Sequence, residues 1–354
     1  DDYITKTVNM TRPHALSFFV LALFGLSATP ALGFFDDIEN QVSASLVSEQ
    51  DAIVPGEPFW VAVRLEHAET WHTYWRNPGD AGTATEIVWE LPEGFEAGPI
   101  QWPVPKVYLQ QDIVNFVYEG TTHLLVEITP PSQLDDGPVV LRGTVNWLEC
   151  DPEQCVPGTA EVALELPVQD EAGPSAHAAA FAATRERWPQ PLPADWEAQA
   201  ELRDERYRVT LTAAEAIPNA ELAYLFSEDA ATVPAVPRHG ELSDATRERV
   251  AADDGFLDVS SANDGREIVF SLSRNPYASE VPERFRAVIK HPDSWPPEGA
   301  AGYQIDVPLE RGDQAAANAG GESVGASPSG AAGDPAGADT IGTVDVAASG
   351  RPPL

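Results

Sequence analysis

The residues best equipped for chemistry in this chain are its two cysteines, Cys150 and Cys155. They lie in Trp147-Leu148-Glu149-Cys150-Asp151-Pro152-Glu153-Gln154-Cys155-Val156-Pro157, and the 354 residues hold no third. A bond between them closes a loop of about six residues, for which chain entropy gives only about 2 kcal/mol. A chain of this length can bury a core without such a staple. The pair is therefore better suited to thiol:disulfide exchange, in which one thiolate attacks a disulfide and the second thiol resolves the mixed disulfide. No cofactor is required, because the dithiol itself carries two electrons. On residue types alone a structural bridge fits as well.

Alternation sets the cysteines on a hairpin. In the strand before them Leu141, Val145 and Trp147 share one face, while Arg142, Thr144, Asn146 and Cys150 share the other. The returning strand turns Val162, Leu164 and Leu166 inward and Glu161 and Glu165 outward. Cys150 thus falls with the polar positions and is expected within reach of another protein. The acids Glu149, Asp151 and Glu153 disfavour a thiolate, so a partner would have to activate the pair.

The hairpin belongs to an all-β pattern. Alternating stretches at 42–47, 59–65, 85–91, 123–128, 139–148 and 159–168 are separated by turn residues such as Asn77-Pro78-Gly79-Asp80 and Asp135-Asp136-Gly137-Pro138. Their spacing predicts an immunoglobulin-like β-sandwich over 34–170, with Trp60, Trp71, Trp75, Trp89, Trp102 and Trp147 supplying core bulk. A short helix is expected at 175–187, in a helix and linker segment covering 171–200. Alternation returns at 207–211, 221–226, 267–272 and 285–289, predicting a second, smaller β domain over 201–311. Beyond it, residues 312–354 are rich in Gly, Ala, Ser and Asp, without aromatics, and read as a disordered acidic tail.

Met10 is the only methionine. Translation is expected to begin there, with 1–9 as upstream residues and 10–33 as a signal peptide. Arg12 and His14 precede the apolar run 15–28, and Ala31 and Gly33 place a cut before Phe34. The run is shorter than the roughly 20 residues a membrane span needs. Export permits a disulfide. With 56 acidic against 21 basic residues the formal charge is −35, which makes nucleic acid and anionic membranes poor partners.

His67, His72 and His123 fall in the first domain, His72 within Trp71-His72-Thr73-Tyr74-Trp75-Arg76. Copper(I) held by both thiolates and an imidazole is chemically possible; packing of His72 in an aromatic turn is the plainer expectation. Gly321-Glu322-Ser323-Val324-Gly325 matches a nucleophile-elbow pattern but lacks the strand and helix that give it meaning.

Taken in order, Trp71-His72-Thr73-Tyr74-Trp75-Arg76-Asn77-Pro78-Gly79-Asp80-Ala81-Gly82, Trp102-Pro103-Val104-Pro105, Tyr118-Glu119-Gly120 and the cysteine segment resemble one family. It is the periplasmic amino-terminal region of the DsbD/ScsB thiol:disulfide interchange proteins, nearer the ScsB branch. The resemblance is strong over 45–168 and fainter over 175–310. It implies a periplasmic module that takes electrons from a membrane-embedded donor domain and passes them to oxidised periplasmic thioredoxin-fold proteins. Cytochrome c assembly and copper tolerance are the settings it suggests. It also implies Cys155 as the cysteine of the mixed disulfide, Cys150 as its resolving partner, and a cap loop near residues 108–113. The four-residue spacing differs from the five of some members. The membrane domain and the Cys-x-x-Cys thioredoxin-like domain of the family are not in this sequence, so the donor would be in the same or a separate chain. The rival function is a non-catalytic β-sandwich for interaction or copper handling, with a structural disulfide.

Overall fold

Strands form where alternation leaves one face to bury, and the hairpin around the cysteines is the longest case. The computed structural model describes residues 40–110, 113–236, 257–291, 295 and 299–312. The upstream residues, the signal peptide, the Gly321–Gly325 motif and nearly all of the acidic tail lie outside those residues. Among the described residues, no helix is long and apolar enough to cross a membrane.

Ten strands build the first assembly: β1 (Val42–Ser48), β2 (Phe59–His67), β3 (His72–Gly79), β4 (Glu86–Glu90), β5 (Glu96–Ala97), β6 (Lys106–Gln110), β7 (Ile113–Glu119), β8 (Thr121–Thr129), β9 (Pro138–Cys150) and β10 (Cys155–Pro167). One sheet runs β1-β2-β8-β5; the other runs β10-β9-β3-β7-β6, with β4 also paired to β9. Together they form an immunoglobulin-like sandwich. The inward positions are those that alternation selects: Leu141 and Val145 are fully buried, and Trp147, Val162 and Leu166 nearly so. They meet Val61, Val63, Val126 and Ile128 of the facing sheet in the apolar core. β10 is the outermost strand of its sheet and carries Pro157 and Pro167.

Strand β3 occupies residues where the sequence suggests a turn. Its first five residues, Trp71 aside, are His72, Thr73, Tyr74, Trp75 and Arg76, of which all but Arg76 are buried. The register against β7 shifts between Tyr74 and Gly79. Gly79 makes that shift possible: its φ is 93°, and a Cβ there would stand 2.3 Å from the Val114 carbonyl oxygen.

Helix α1 (Ala178–Arg185) lies against the other sheet. Phe181, fully buried, packs with Val47, Ala62 and Leu125. Arg185 pairs in bidentate fashion with Glu49 at 2.5 and 2.6 Å and sits over the rings of Trp60 and Trp188.

The second assembly contains β11 (Gln190–Pro191), β12 (Glu197–Arg203), β13 (Arg206–Thr212), β14 (Tyr224–Ser227), β15 (Asp258–Ala262), β16 (Glu267–Ser273), β17 (Arg284–Lys290) and β18 (Tyr303–Arg311). They form one sheet in the order β14-β17-β18-β12-β13-β16-β15, with β11 beside β18. Both assemblies belong to one unit beginning at Gln41. Their cores are continuous. Phe226 of β14 meets Phe116 at 5.0 Å and Trp75 at 6.0 Å between ring centroids, and Tyr224 meets Phe116 at 6.2 Å. Polar contacts close the same junction. Asn77 Nδ2 donates to the carbonyls of Ser227 and Asp229 at 2.8 and 3.2 Å, and Arg76 pairs with Glu228 at 2.9 Å.

Candidate functional site

Cys150 and Cys155 are the paired ends of β9 and β10 and are joined as a disulfide. The hairpin loop between them is shaped by Asp151. Its Oδ1 accepts the backbone N–H groups of Glu153 and Gln154, both at 2.8 Å, and its own N–H donates to the Gln154 carbonyl. This is the local side-chain-to-backbone bonding that favours Asp in turns.

The two sulfurs have opposite surroundings. Cys155 is exposed. Cys150 is 2% exposed, which corrects the expectation that it is the reachable cysteine. Strand parity does set it on the face of Thr144 and Asn146, but at this end of the sheet that face is covered. Tyr74 and Val117 form a buried cluster with it, and Tyr108 and Leu148 pack alongside. The Tyr74 hydroxyl donates to Cys150 Sγ at 2.9 Å. Burial, with Tyr108 adding to it, pushes the Tyr74 pKa up to about 12, so Tyr74 stays a donor across the physiological range.

The stretch at 108–113 lies beside this cluster. Tyr108 packs on His72 with centroids 4.4 Å apart, and Gln110 Nε2 donates to the Pro152 carbonyl at 2.6 Å, tying β6 to the cysteine loop. Ile113 is 42% exposed. Residues 111 and 112 lie outside the described residues.

Registered pairing draws one row across four strands: Cys155 opposite Cys150, Cys150 opposite His72, and His72 opposite Glu119. Opposed residues share a face. His72 is 1% exposed and packs edge-on against Tyr74 as well as on Tyr108. Neither ring nitrogen has a hydrogen-bond partner. Burial lowers its pKa below 6.5; His67 adds to that, while Glu119 and Asp151 oppose it. Glu119 itself pairs with Lys106 at 2.8 Å.

The two acids next to the first cysteine are both engaged by hydrogen bonds. Glu149 is fully buried, and its carboxylate accepts the N–H groups of Gln41 at 2.7 Å and Val42 at 3.0 Å and the Trp147 indole N–H at 2.7 Å. It anchors the start of β1, and Asp151 is engaged by the loop.

The three histidines do not converge. His67 is bonded to the Gly120 carbonyl and Thr73 Oγ1, and His123 lies in the facing sheet, opposite Arg64. Among the described residues, no group of three or more His, Cys, Asp or Glu side chains converges as a metal-ligand set. Residue types alone therefore reveal the cysteines but not Tyr74, Tyr108 and the neighbourhood of His72. The alternating polar positions His72, Tyr74 and Arg76 carry the only signal for them.

Residues 43–167 match the family model described as thiol:disulfide interchange protein DsbD, N-terminal. Among solved structures, the N-terminal periplasmic domain of ScsB from Proteus mirabilis is similar in fold, with 15% identity and a TM-score of 0.50 over 77% of this chain and 92% of that one. That coverage exceeds the matched stretch, so the likeness takes in part of the second assembly. A protein of unknown function from Porphyromonas gingivalis W83 aligns at 12% identity and a TM-score of 0.22, over 77% and 100% of the two chains. The E. coli chaperone DraB aligns at 8% identity and 0.19, over 75% and 98%. Neither score supports a structural argument. No curated protein matches the chain.

Proposed function

Residues 43–167 are a DsbD/ScsB-like N-terminal domain, and from that premise we propose that the chain is a periplasmic thiol:disulfide exchange module working through Cys150 and Cys155. The observation that carries this reading is the asymmetry of the pair. One sulfur is exposed to an incoming disulfide; the other is buried and accepts a hydrogen bond from Tyr74.

In this reading the reduced module presents Cys155. Its thiolate attacks one sulfur of a substrate disulfide, forming a mixed disulfide and expelling the other substrate thiolate. Cys150 then attacks Cys155 Sγ, re-forming the Cys150–Cys155 bond and releasing the second substrate thiolate. Two electrons leave the dithiol and reduce the substrate. The Tyr74 hydroxyl favours the Cys150 thiolate by donating to it. The substrates are oxidised periplasmic proteins of the thioredoxin fold, and a membrane-embedded domain, in the same or a separate chain, returns the electrons.

Trapping tests the assignment. With an oxidised thioredoxin-fold substrate, Cys150→Ser should accumulate a mixed disulfide visible on a non-reducing gel, and Cys155→Ser should form none. Equal trapping by both variants, or full exchange by Cys155→Ser, would overturn it.

A further inference from the structure

Resting on that exchange reading, we propose that His72 is the proton acceptor for Cys150 when the mixed disulfide is resolved. A buried thiol is a poor nucleophile until it loses its proton, and Cys150 is buried. Among the described residues, the carboxylates next to Cys150 and on the row through His72 are committed elsewhere. Glu149 accepts two hydrogen bonds from the start of β1 and one from the Trp147 indole, Asp151 accepts two in the loop, and Glu119, a further strand away, is paired with Lys106. Tyr74 acts as a donor to the sulfur.

His72 stands directly opposite Cys150 on the neighbouring strand. Side chains so placed have Cβ atoms roughly 5 Å apart, which leaves reach for a proton through a small side-chain rotation or one water. Both of its ring nitrogens are buried without a partner. Leaving a buried polar group unmet is destabilising, and a packing role alone could be filled by Phe or Leu. Among the described residues, the titratable and charged groups around the ring are His67 from the end of β2, Tyr74 on its own strand, Tyr108 from β6, Glu119 from β7, which Lys106 pairs, and Cys150 and Asp151 from the hairpin. Burial keeps the imidazole neutral near pH 7, the form that accepts a proton.

The Cys150 thiol gives its proton to an imidazole nitrogen of His72, and the resulting thiolate bonds to Cys155 Sγ. The bond from Cys155 to the substrate sulfur breaks, and that sulfur leaves with the electron pair. The imidazolium then returns its proton to the departing thiolate or to solvent. His72 thus acts on the resolving step and not on the first attack.

A chromogenic aromatic disulfide separates the two steps, since each releases one coloured thiolate. With reduced protein in a single turnover, the first release reports attack by Cys155 and the second reports resolution by Cys150. His72→Asn should leave the first phase unchanged and slow the second about tenfold at pH 7. The gap should close as rising pH ionises the Cys150 thiol unaided. His72→Phe, which preserves packing, should behave likewise and guards against misfolding of the first variant. In a Cys150→Ser background, adding His72→Asn should change nothing. Phases slowed equally, or a second phase with the wild-type pH profile, would overturn the role of His72. If folded wild-type protein released no thiolate at all, the exchange reading itself would fall, and the proton-acceptor role with it.

Discussion

The two ends of strand β3 lie seven residues apart and are built on different terms. At the Arg76–Gly79 end, Asn77 spends its amide on Ser227, Asp229 and Gly79, and Arg76 is paired with Glu228. Trp75 at the same end joins the aromatic contacts between the two assemblies. At the His72 end, the imidazole has no hydrogen-bond partner, and one tyrosine hydroxyl is turned on a sulfur. At the first end Asn77 and Arg76 are both partnered, as polar groups of a buried junction usually are, although the indole N–H of Trp75 is left without a partner. The second leaves donors and acceptors open beside the only disulfide, where a reaction could use them. Within this one strand, what sets the two ends apart is where the unpartnered groups lie: an indole N–H among aromatic rings at one end, an imidazole opposite a cysteine at the other.

Three perturbations test that division. The largest effect is expected from Asn77→Ala, which removes the donor to two carbonyls of the second assembly. It should lower unfolding free energy by about 2 kcal/mol in urea titrations, while both phases of thiolate release keep their wild-type rates. A comparable slowing of exchange would mean that the two ends are not independent.

Tyr74→Phe should do the reverse. Loss of one hydrogen bond costs about 1 kcal/mol of stability in the oxidised protein, and the resolving phase should slow about fivefold because the Cys150 thiolate loses its donor. An unchanged second phase would reduce Tyr74 to packing.

The smallest effect is on pH dependence. Burial holds His67, His72 and His123 below 6.5, so the folded state favours their neutral forms. Well above pH 6.5 they are neutral in both states and contribute no slope. As pH falls below 6.5 the unfolded chain takes up protons first, and stability declines until the lowered folded-state values are reached. Urea midpoints between pH 7 and 5 should show this decline. His72→Phe should flatten part of it, and Asn77→Ala should shift the curve without changing its shape.

The same contrast explains what the sequence could reveal. β1, β2, β4, β8, β9 and β10 are legible because one face is buried and the other is more open; β10 alternates almost without interruption. β3 and β7 are covered on both faces over most of their length, through runs such as His72–Trp75 and Val114–Tyr118. Apolar and small polar residues then follow one another without a period of two, and Asn77-Pro78-Gly79-Asp80 suggests a turn instead. The cysteines were visible as residue types. Their neighbours were not, because Tyr74 and Tyr108 come to Cys150, and His72 comes to stand opposite it, only through the pairing of β3 with β9 and of β6 with β7. A slip of one residue in either would move those side chains to the opposite face.

Pro157, two residues after the exposed sulfur on the outermost strand, bears on how visitors arrive. An open sheet edge invites another chain to zip along it, which is how many β proteins aggregate. Proline has no N–H to offer such a strand, so the ladder is interrupted where an intruder would start. A visiting protein is left to meet the sulfur end-on, by a point contact that reads little of its backbone sequence. The same proline interrupts any edge-to-edge pairing of two copies of the chain beside the exposed sulfur.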